Sequence, residues 1–362
     1  MKIIFDCRYT RLGRHDGISR YTARMVTELG KLHPVTMLIS DEQQLTMLPE
    51  LPWVLGPSPT GAREPLVALA VNAFEPDVVF TPMQTMGPIF RRYALVSTVH
   101  DLIYYTHRTP PRDLSWPIRL LWRGYHLSWS FQRALLNRAD AHVVVSETTG
   151  ALMVEHRLTR NPVTVIISGT DHPQSRPVRT PGRGLHGSRD LVYMGSFMPY
   201  KNVEMLATAM HDLPGYRLRL MSRISDSDRE RLIALAPPGA VDVVNGATEE
   251  EYRNALLNSL ALVTASKDEG FGLPIIEAQA LGIPTVVSDI PIFREIAGAH
   301  SGFFDPSNID EFVTAVRLLE SEATWTARSA ASFAWAQRFS WPAAAAQLLT
   351  VLTETVTRRR AH

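Results

Sequence analysis

Short β-type runs alternate with amphipathic helical stretches along almost the whole chain, and this alternation constrains the fold more than any other feature. The first series of runs is KIIF (2–5), VTMLIS (35–40), DVVF (77–80), ALVSTV (94–99), AHVVVS (141–146) and VTVII (163–167). The second is LVYMG (191–195), YRLRLM (216–221), VDVV (241–244), LALVTA (260–265) and PTVVS (284–288). Between them lie helical patterns such as Ile18, Tyr21, Met25, Val26 and Leu29. Strands separated by helices form parallel sheets covered on both faces, an α/β architecture. Residues 171–190 lack apolar periodicity and are dense in Pro, Gly and Arg, which predicts a linker between the series. Two doubly wound domains are therefore expected, at 1–180 and 181–340, with ligands at the carboxyl ends of their strands. A closing helix is expected over 341–362, with Arg358, Arg359 and Arg360 at its negative dipole end.

Composition removes several functional classes. Of the 362 residues, 45% are hydrophobic and 20% charged, the profile of a globular protein. A net charge of +1 gives no electrostatic footprint for nucleic acid. The single cysteine, Cys7, excludes an internal disulfide framework and reads as a buried thiol in the first apolar run. MKIIFDC at the start is too short an apolar run for a signal peptide, and no stretch approaches the ~20 apolar residues of a spanning helix. The expectation is a cytoplasmic protein, soluble or surface-bound. No Cys/His cluster offers a zinc site, no Walker loop is present, and RLGRHDG lacks the dinucleotide-binding spacing. DSD at 226–228 is the string a metal-dependent transferase needs, but Ser225 and Asp228 read better as a capping box opening a helix.

The most informative stretch is SKDEGFGLPIIEAQALGIPTVVSD (266–289), which begins as the strand LALVTA ends. Pro274 suits the first turn of a helix, so the N–H groups of Gly272 and Leu273 would sit at a helix N-terminus, a seat for an anion such as a pyrophosphate. Glu269 in the loop and Glu277, read as lying in the first helical turn, frame that seat, and a carboxylate matches the vicinal hydroxyls of a sugar. Two acids stabilising a helix start would show the same spacing. In the first half, His100 follows ALVSTV and falls at the cleft expected between the domains; pairing with Asp101 for structural reasons is the alternative. Gly17 would let its loop pass close to phosphates, Ser19 is placed to cap the following helix, and Tyr21 faces the core.

The run E-G-F-G-L-P-x-x-E-A (269–278) resembles the E-x7-E signature of glycosyltransferase family 4, and GIPTVVSDIPIFREIAG (282–298) continues the pattern. YMGSFMPYKN (193–202), ADAHVVVSETT (139–149), VIISGTDH (165–172), HDLI (100–103) and GISRY (17–21) are similar to further family segments, in the right order. The resemblance implies a GT-B fold, two Rossmann-like domains facing a cleft with the last helix returning to the first domain. It implies a retaining, metal-independent transferase of hexose from a nucleotide-diphosphate sugar, with no cofactor besides the donor. Glu277 would then hold the donor ribose, Glu269 the transferred sugar, Lys201 the diphosphate, and His100 the sugar near its reacting carbon. Gly17, Phe271, Gly272 and Leu273 would line the donor. The family commonly has Arg where this chain has Ser196, which leaves Lys201 a weaker partner for the leaving group. Arg223 in MSRIS is a candidate replacement. The family route is front-face substitution, in which a donor phosphate oxygen takes the acceptor proton; a double displacement would need a carboxylate nucleophile, and the first half offers no obvious one. HDLI and YKN are loosely similar to mannosyltransferases of polysaccharide assembly, which would make GDP-mannose the donor and a glycan or lipid-linked molecule the acceptor. An epimerase or phosphorylase of the same fold, and a non-catalytic nucleotide-sugar-binding subunit suggested by Ser196, are the rival readings.

Residues 107–138 hold six arginines, one aspartate and three tryptophans. Drawn as one helix, Ile118, Leu121, Trp122, Tyr125 and Trp129 make one stripe and Arg119, Arg123, His126 and Arg133 another. Such a helix fits the anionic inner face of a plasma membrane, or a domain helix with one buried face.

Overall fold

The structure, a computed structural model, describes residues 1–61, 63–110, 116–171 and 189–361, with only the backbone of Pro117. The expected linker lies mostly, and the expected boundary at 180/181 entirely, outside the described residues. Two compact units are present: Met1–Gly169 with Ser340–His362, and Thr170–Phe339.

The first unit is built on a seven-stranded sheet of β1 (Ile3–Asp6), β2 (Val35–Ile39), β3 (Trp53–Leu55), β4 (Val78–Thr81), β5 (Ala94–Val99), β6 (Ala141–Val144) and β7 (Val163–Val165). The strands run parallel in the order β3-β2-β1-β4-β5-β6-β7. The second unit has a six-stranded parallel sheet of β8 (Asp190–Tyr193), β9 (Arg217–Leu220), β10 (Val241–Val243), β11 (Ala261–Thr264), β12 (Thr285–Ser288) and β13 (Gly302–Phe304), ordered β10-β9-β8-β11-β12-β13. Every residue of β1, β4, β5, β11 and β12 is buried, as it must be where helices cover both faces of a parallel sheet. In each unit the strand order reverses once, between β1 and β4 and between β8 and β11. A doubly wound sheet opens its ligand crevice at that reversal.

Two edge strands escape the sequence pattern. β3 is three residues long with Trp53 and Leu55 exposed, and β13 is Gly-Phe-Phe. Neither carries enough period-2 signal to separate it from a loop.

The last helix, Trp341–Arg360, packs along Gly17–Leu32 in the first unit, with Leu348 and Leu352 fully buried. At its start, an added Cβ at Gly169 would lie 2.3 Å from the Trp341 nitrogen, so only glycine fits there. At its far end Arg359 bonds Asp140, which also takes Arg91, and Arg360 bonds Asp77. The terminal arginines thus combine favourable dipole placement with ion pairs across the unit.

Candidate functional site

The two loops that flank the reversal of the second sheet are joined. After β8 the chain passes Gly195 and Ser196 to a short 3-10 turn, Pro199–Lys201. After β11 it passes Lys267 and Glu269 to the helix Leu273–Ala280. The Lys267 N–H donates to the Tyr200 carbonyl at 2.7 Å, and the Lys201 ammonium is ion-paired with the Glu269 carboxylate. Both side chains are mostly buried, at 11% and 18% exposure, so the pair is shielded from screening by salt. Asn202, in the left-handed region at φ 54°, turns the chain out of the 3-10 turn and donates to the Pro306 carbonyl at 2.8 Å, which fixes Lys201.

Gly272 caps the helix at φ 97°, and an added Cβ would crowd Ile275 and Phe293 at 3.2 Å. A glycine is required here by conformation and by space. Pro274 carries no N–H and the Ile275 N–H already donates to the Gly272 carbonyl at 2.9 Å, so this helix start offers the N–H groups of Gly272 and Leu273. Phe271 is buried against the edge of Phe339. Glu277 is partly buried and sits in the second turn, not the first, because the helix begins at Leu273. A dipole-stabilising role at a helix start fits it poorly from there, since that effect fades beyond the first turn.

Ser196 is exposed, and its carbonyl accepts from the Tyr193 hydroxyl at 2.6 Å. The Gly195 N–H donates to Ser222 Oγ at 2.9 Å, so the loop carrying Arg223 lies beside the one carrying Ser196. Arg223 is exposed, packs its stem over Gly246 (φ 102°), and has no ion-pair partner among the described residues. Asp226 and Asp228 open the helix Asp226–Ala234; Ser225 caps it, and the Asp228 carboxylate accepts from Ser225 Oγ at 2.7 Å and from Arg231. The expected capping box is therefore half formed, with the return bond made to the hydroxyl rather than to the backbone.

In the first unit, His100 directly follows β5 and Nε2 lies 2.7 Å from the Pro82 carbonyl, in the loop after β4. A carbonyl only accepts, so Nε2 carries the proton and Nδ1 keeps its lone pair. Burial drives the His100 pKa down to about 4, so the ring is neutral at physiological pH and presents an acceptor, not a donor. Asp101 accepts from the Ile103 N–H instead of orienting His100. Tyr21 meets His100 edge-on at 4.9 Å and Trp341 at 5.9 Å, which ties the histidine to the last helix. The helix expected to be capped by Ser19 begins at Gly17 and is capped by Asp16, whose carboxylate accepts from the Ser19 N–H at 2.9 Å. Gly17 is thus a helical residue, and the glycine that turns the preceding loop is Gly13 at φ 74°.

At the reversal of this first sheet lies a cluster that sequence reading missed. Asp6 ends β1, and its carboxylate accepts from Arg8 Nε at 2.8 Å, Arg8 Nη2 at 3.0 Å and Thr81 Oγ1 at 3.1 Å. Arg8 also donates to Glu64 and to the Pro57 carbonyl. Charged residues straight after an apolar strand, FDCR at 5–8, were the available signal. Cys7 between them is fully buried, and burial raises its pKa, so it is an inert thiol.

The buried histidines make stability depend on pH. His142, fully buried between Ser97 Oγ and Thr159 Oγ1, is also lowered to about 4 by burial. An unfolded histidine takes up its proton near pH 6.5, so between about 6.5 and 4 the unfolded chain binds more protons than the folded one. Stability is therefore full above pH 6.5 and falls toward pH 4, by about 1–2 kcal/mol per histidine at pH 5. Denaturant midpoints measured at pH 7.5, 6 and 5 should decrease in that order. Equal midpoints would remove burial as the reason these rings stay neutral.

Two doubly wound units, each with charged side chains at its strand-order reversal, and a last helix returned to the first unit make up the GT-B fold. The family described as Glycosyl transferases group 1 matches residues 182–333, and Glycosyltransferase Family 4 matches residues 15–173. The chain belongs to glycosyltransferase family 4. It is 42% identical over 69 residues to the serotype-specific mannosyltransferase WbdA of Escherichia coli, a stretch that is 18% of this chain and 8% of that protein. It is 27% identical over 216 residues to GDP-mannose:cellobiosyl-diphosphopolyprenol alpha-mannosyltransferase of Xanthomonas oryzae pv. oryzae, 55% of this chain and 54% of that one. Both relatives are thus matched over well under two thirds of their length. HepE of Anabaena, solved in complex with UDP-glucose, superposes with a TM-score of 0.72 at 18% identity, covering 98% of this chain and 100% of that one. At that identity the likeness is one of fold.

Proposed function

We propose that this transferase moves a hexose, mannose from GDP-mannose in the first instance, with retention of configuration onto a glycan or lipid-linked acceptor, and needs neither metal nor cofactor. The observation that supports it most is the Lys201–Glu269 pair beside the N–H groups of Gly272 and Leu273, at the strand-order reversal of the second sheet. A cation and two amide donors offset a diphosphate, and a neighbouring carboxylate takes sugar hydroxyls. Lys201 stabilises the charge that grows on the leaving diphosphate, with Arg223 as a second cation in the place Ser196 leaves unfilled. Glu277 holds the ribose. Neutral His100 accepts a hydrogen bond from a hydroxyl of the transferred sugar. The acceptor oxygen bonds to the anomeric carbon on the face the diphosphate leaves. The bond from that carbon to the diphosphate oxygen breaks, and the acceptor proton passes to a donor phosphate oxygen. Mannose and a lipid-linked acceptor are favoured by the named relatives. The chain would act in the cytoplasm, at the inner face of the membrane that holds its acceptor.

A panel of nucleoside-diphosphate sugars tests this reading by thermal shift and by donor turnover, since a bound donor stabilises the fold by mass action. GDP-mannose should give the largest shift, and turnover should persist in excess chelator. Turnover that vanishes with chelator and returns with Mg2+ would overturn the metal-free reading. A donor shift with no turnover or hydrolysis for any sugar would instead favour a binding subunit.

A further inference from the structure

The described residues from 116 to 138 do not form the single two-striped helix that their sequence suggests. They fold as two helices, Trp116–Tyr125 and Trp129–Leu136, broken at His126–Ser128. Trp122, Tyr125 and Trp129, three of the five residues of the expected apolar stripe, turn inward as the face of a domain helix would. Trp122 meets Tyr104 at 5.0 Å and His126 at 4.0 Å, Trp129 stacks on Tyr105 at 3.8 Å, and the Tyr125 hydroxyl donates to Gln132 Oε1 at 2.8 Å. Leu121 of that stripe stays outside at 74% exposure and Ile118 at 50%, joined by Trp116 at 78%, Leu120 at 63%, Leu127 at 65% and Phe131 at 59%. Large apolar side chains gathered this densely and left exposed mark a docking surface.

We propose that this two-helix knuckle docks on the surface of an anionic lipid bilayer, with Trp116, Leu120, Leu121, Leu127 and Phe131 entering the headgroup layer. Charge selects this occupant. Among the described residues from 102 to 138 there is no acid, while Arg108, Arg119, Arg123, Arg133 and Arg138 are all present. A second copy docking by two-fold symmetry would press this arginine set against itself, whereas anionic headgroups complement it. No helix among the described residues is long and apolar enough to cross a membrane, so the contact is interfacial. The inward aromatics explain why it matters to the enzyme. Tyr104 and Tyr105 lie on the short helix Ile103–Thr106 just after His100, so the knuckle is built directly onto the His100 segment. Docking would hold that segment where a lipid-linked acceptor presents its sugar. This last step rests on the proposed function; the docking itself does not.

The test is co-sedimentation of the full chain with vesicles, without any nucleotide sugar, so its outcome is independent of the donor panel. Binding to vesicles holding phosphatidylglycerol should exceed binding to pure phosphatidylcholine and weaken as salt rises. Each arginine near the surface contributes roughly fivefold to partitioning, so Arg119→Glu with Arg123→Glu should lower it well over tenfold. Leu120→Ser with Leu121→Ser should also release the protein. These leucines are exposed, and an unchanged thermal midpoint would verify that the variant is folded. Binding equal to wild type in both double variants overturns the proposal, as does binding indifferent to lipid charge and salt. A dimer in solution that Leu121→Glu dissociates, with no vesicle binding, assigns the surface to a second copy and also overturns it.

Discussion

Glu269→Gln should lower kcat by about one to two decades while leaving nucleoside-diphosphate binding intact or tighter, whereas Glu277→Gln should mainly raise the donor KM. The two carboxylates differ in where they sit. Glu269 lies in the loop after β11, bonded to Lys201, and Glu277 lies in the second turn of the helix behind it. In the proposed mechanism Glu269 meets the transferred sugar, whose hydroxyls shift as the ring flattens toward an oxocarbenium-like state. A contact that strengthens on the way to the transition state appears in kcat. Glu277 meets the ribose, far from the reacting bond, so its loss removes binding that ground and transition states share, which raises KM alone.

The ion pair adds a third readout. Because Lys201 is bonded to Glu269 in this structure, the amide variant frees the ammonium for the diphosphate, and product inhibition by the nucleoside diphosphate should hold or strengthen. Lys201→Met should do the reverse. Steady-state kinetics with donor varied, together with product inhibition, separates these outcomes. If Glu277→Gln chiefly lowers kcat and Glu269→Gln chiefly raises KM, the two roles are exchanged. If neither alters donor kinetics, the site lies elsewhere.

What the sequence made legible follows from the range over which each signal acts. Strands such as ALVSTV at 94–99 are short and mostly apolar or β-branched, so burial on both faces is written locally. The Pro274 and Gly272 pattern is likewise local, since a helix start is set by the residues on either side of it. Lys201 and Glu269 were each legible, but their bond was not, because 68 positions separate them and only the strand order brings them together. The same holds for His100, whose partner is the Pro82 carbonyl rather than adjacent Asp101, and for the cap of the first helix, where Asp16 outcompetes Ser19. In residues 107–138 the helical wheel misled because it assumes one continuous helix. Once the chain breaks at His126–Ser128, Trp122 and Trp129 find Tyr104 and Tyr105, while Leu121 of the same stripe stays outside beside Leu120.

The buried cluster at the end of β1 should carry the largest single effect on stability, with Asp6→Asn costing about 3 kcal/mol or more. Both side chains of the Asp6–Arg8 pair are fully shielded from water. Asparagine keeps the shape but removes the charge and turns an NH2 toward a guanidinium that only donates, leaving a buried cation short of an acceptor. Glu64 remains as a partner of Arg8, which keeps the cost toward the low end of the range for a broken buried pair. Glu64→Gln should cost less, because its side chain is 12% exposed and water can reach the vacated position. Adding Arg8→Met to Asp6→Asn should recover part of the loss, since it removes the orphaned charge itself. The cluster also reaches toward His100, which the proposed mechanism sets on the transferred sugar: Asp6 accepts from Thr81, the residue before Pro82, whose carbonyl holds His100. Asp6→Asn should therefore lower turnover even where the protein remains folded. Denaturant unfolding of the two single variants and the double variant, read with kcat on the folded fraction, decides the matter. A cost under about 1 kcal/mol for Asp6→Asn, or no recovery in the double variant, would show that Glu64 alone satisfies Arg8.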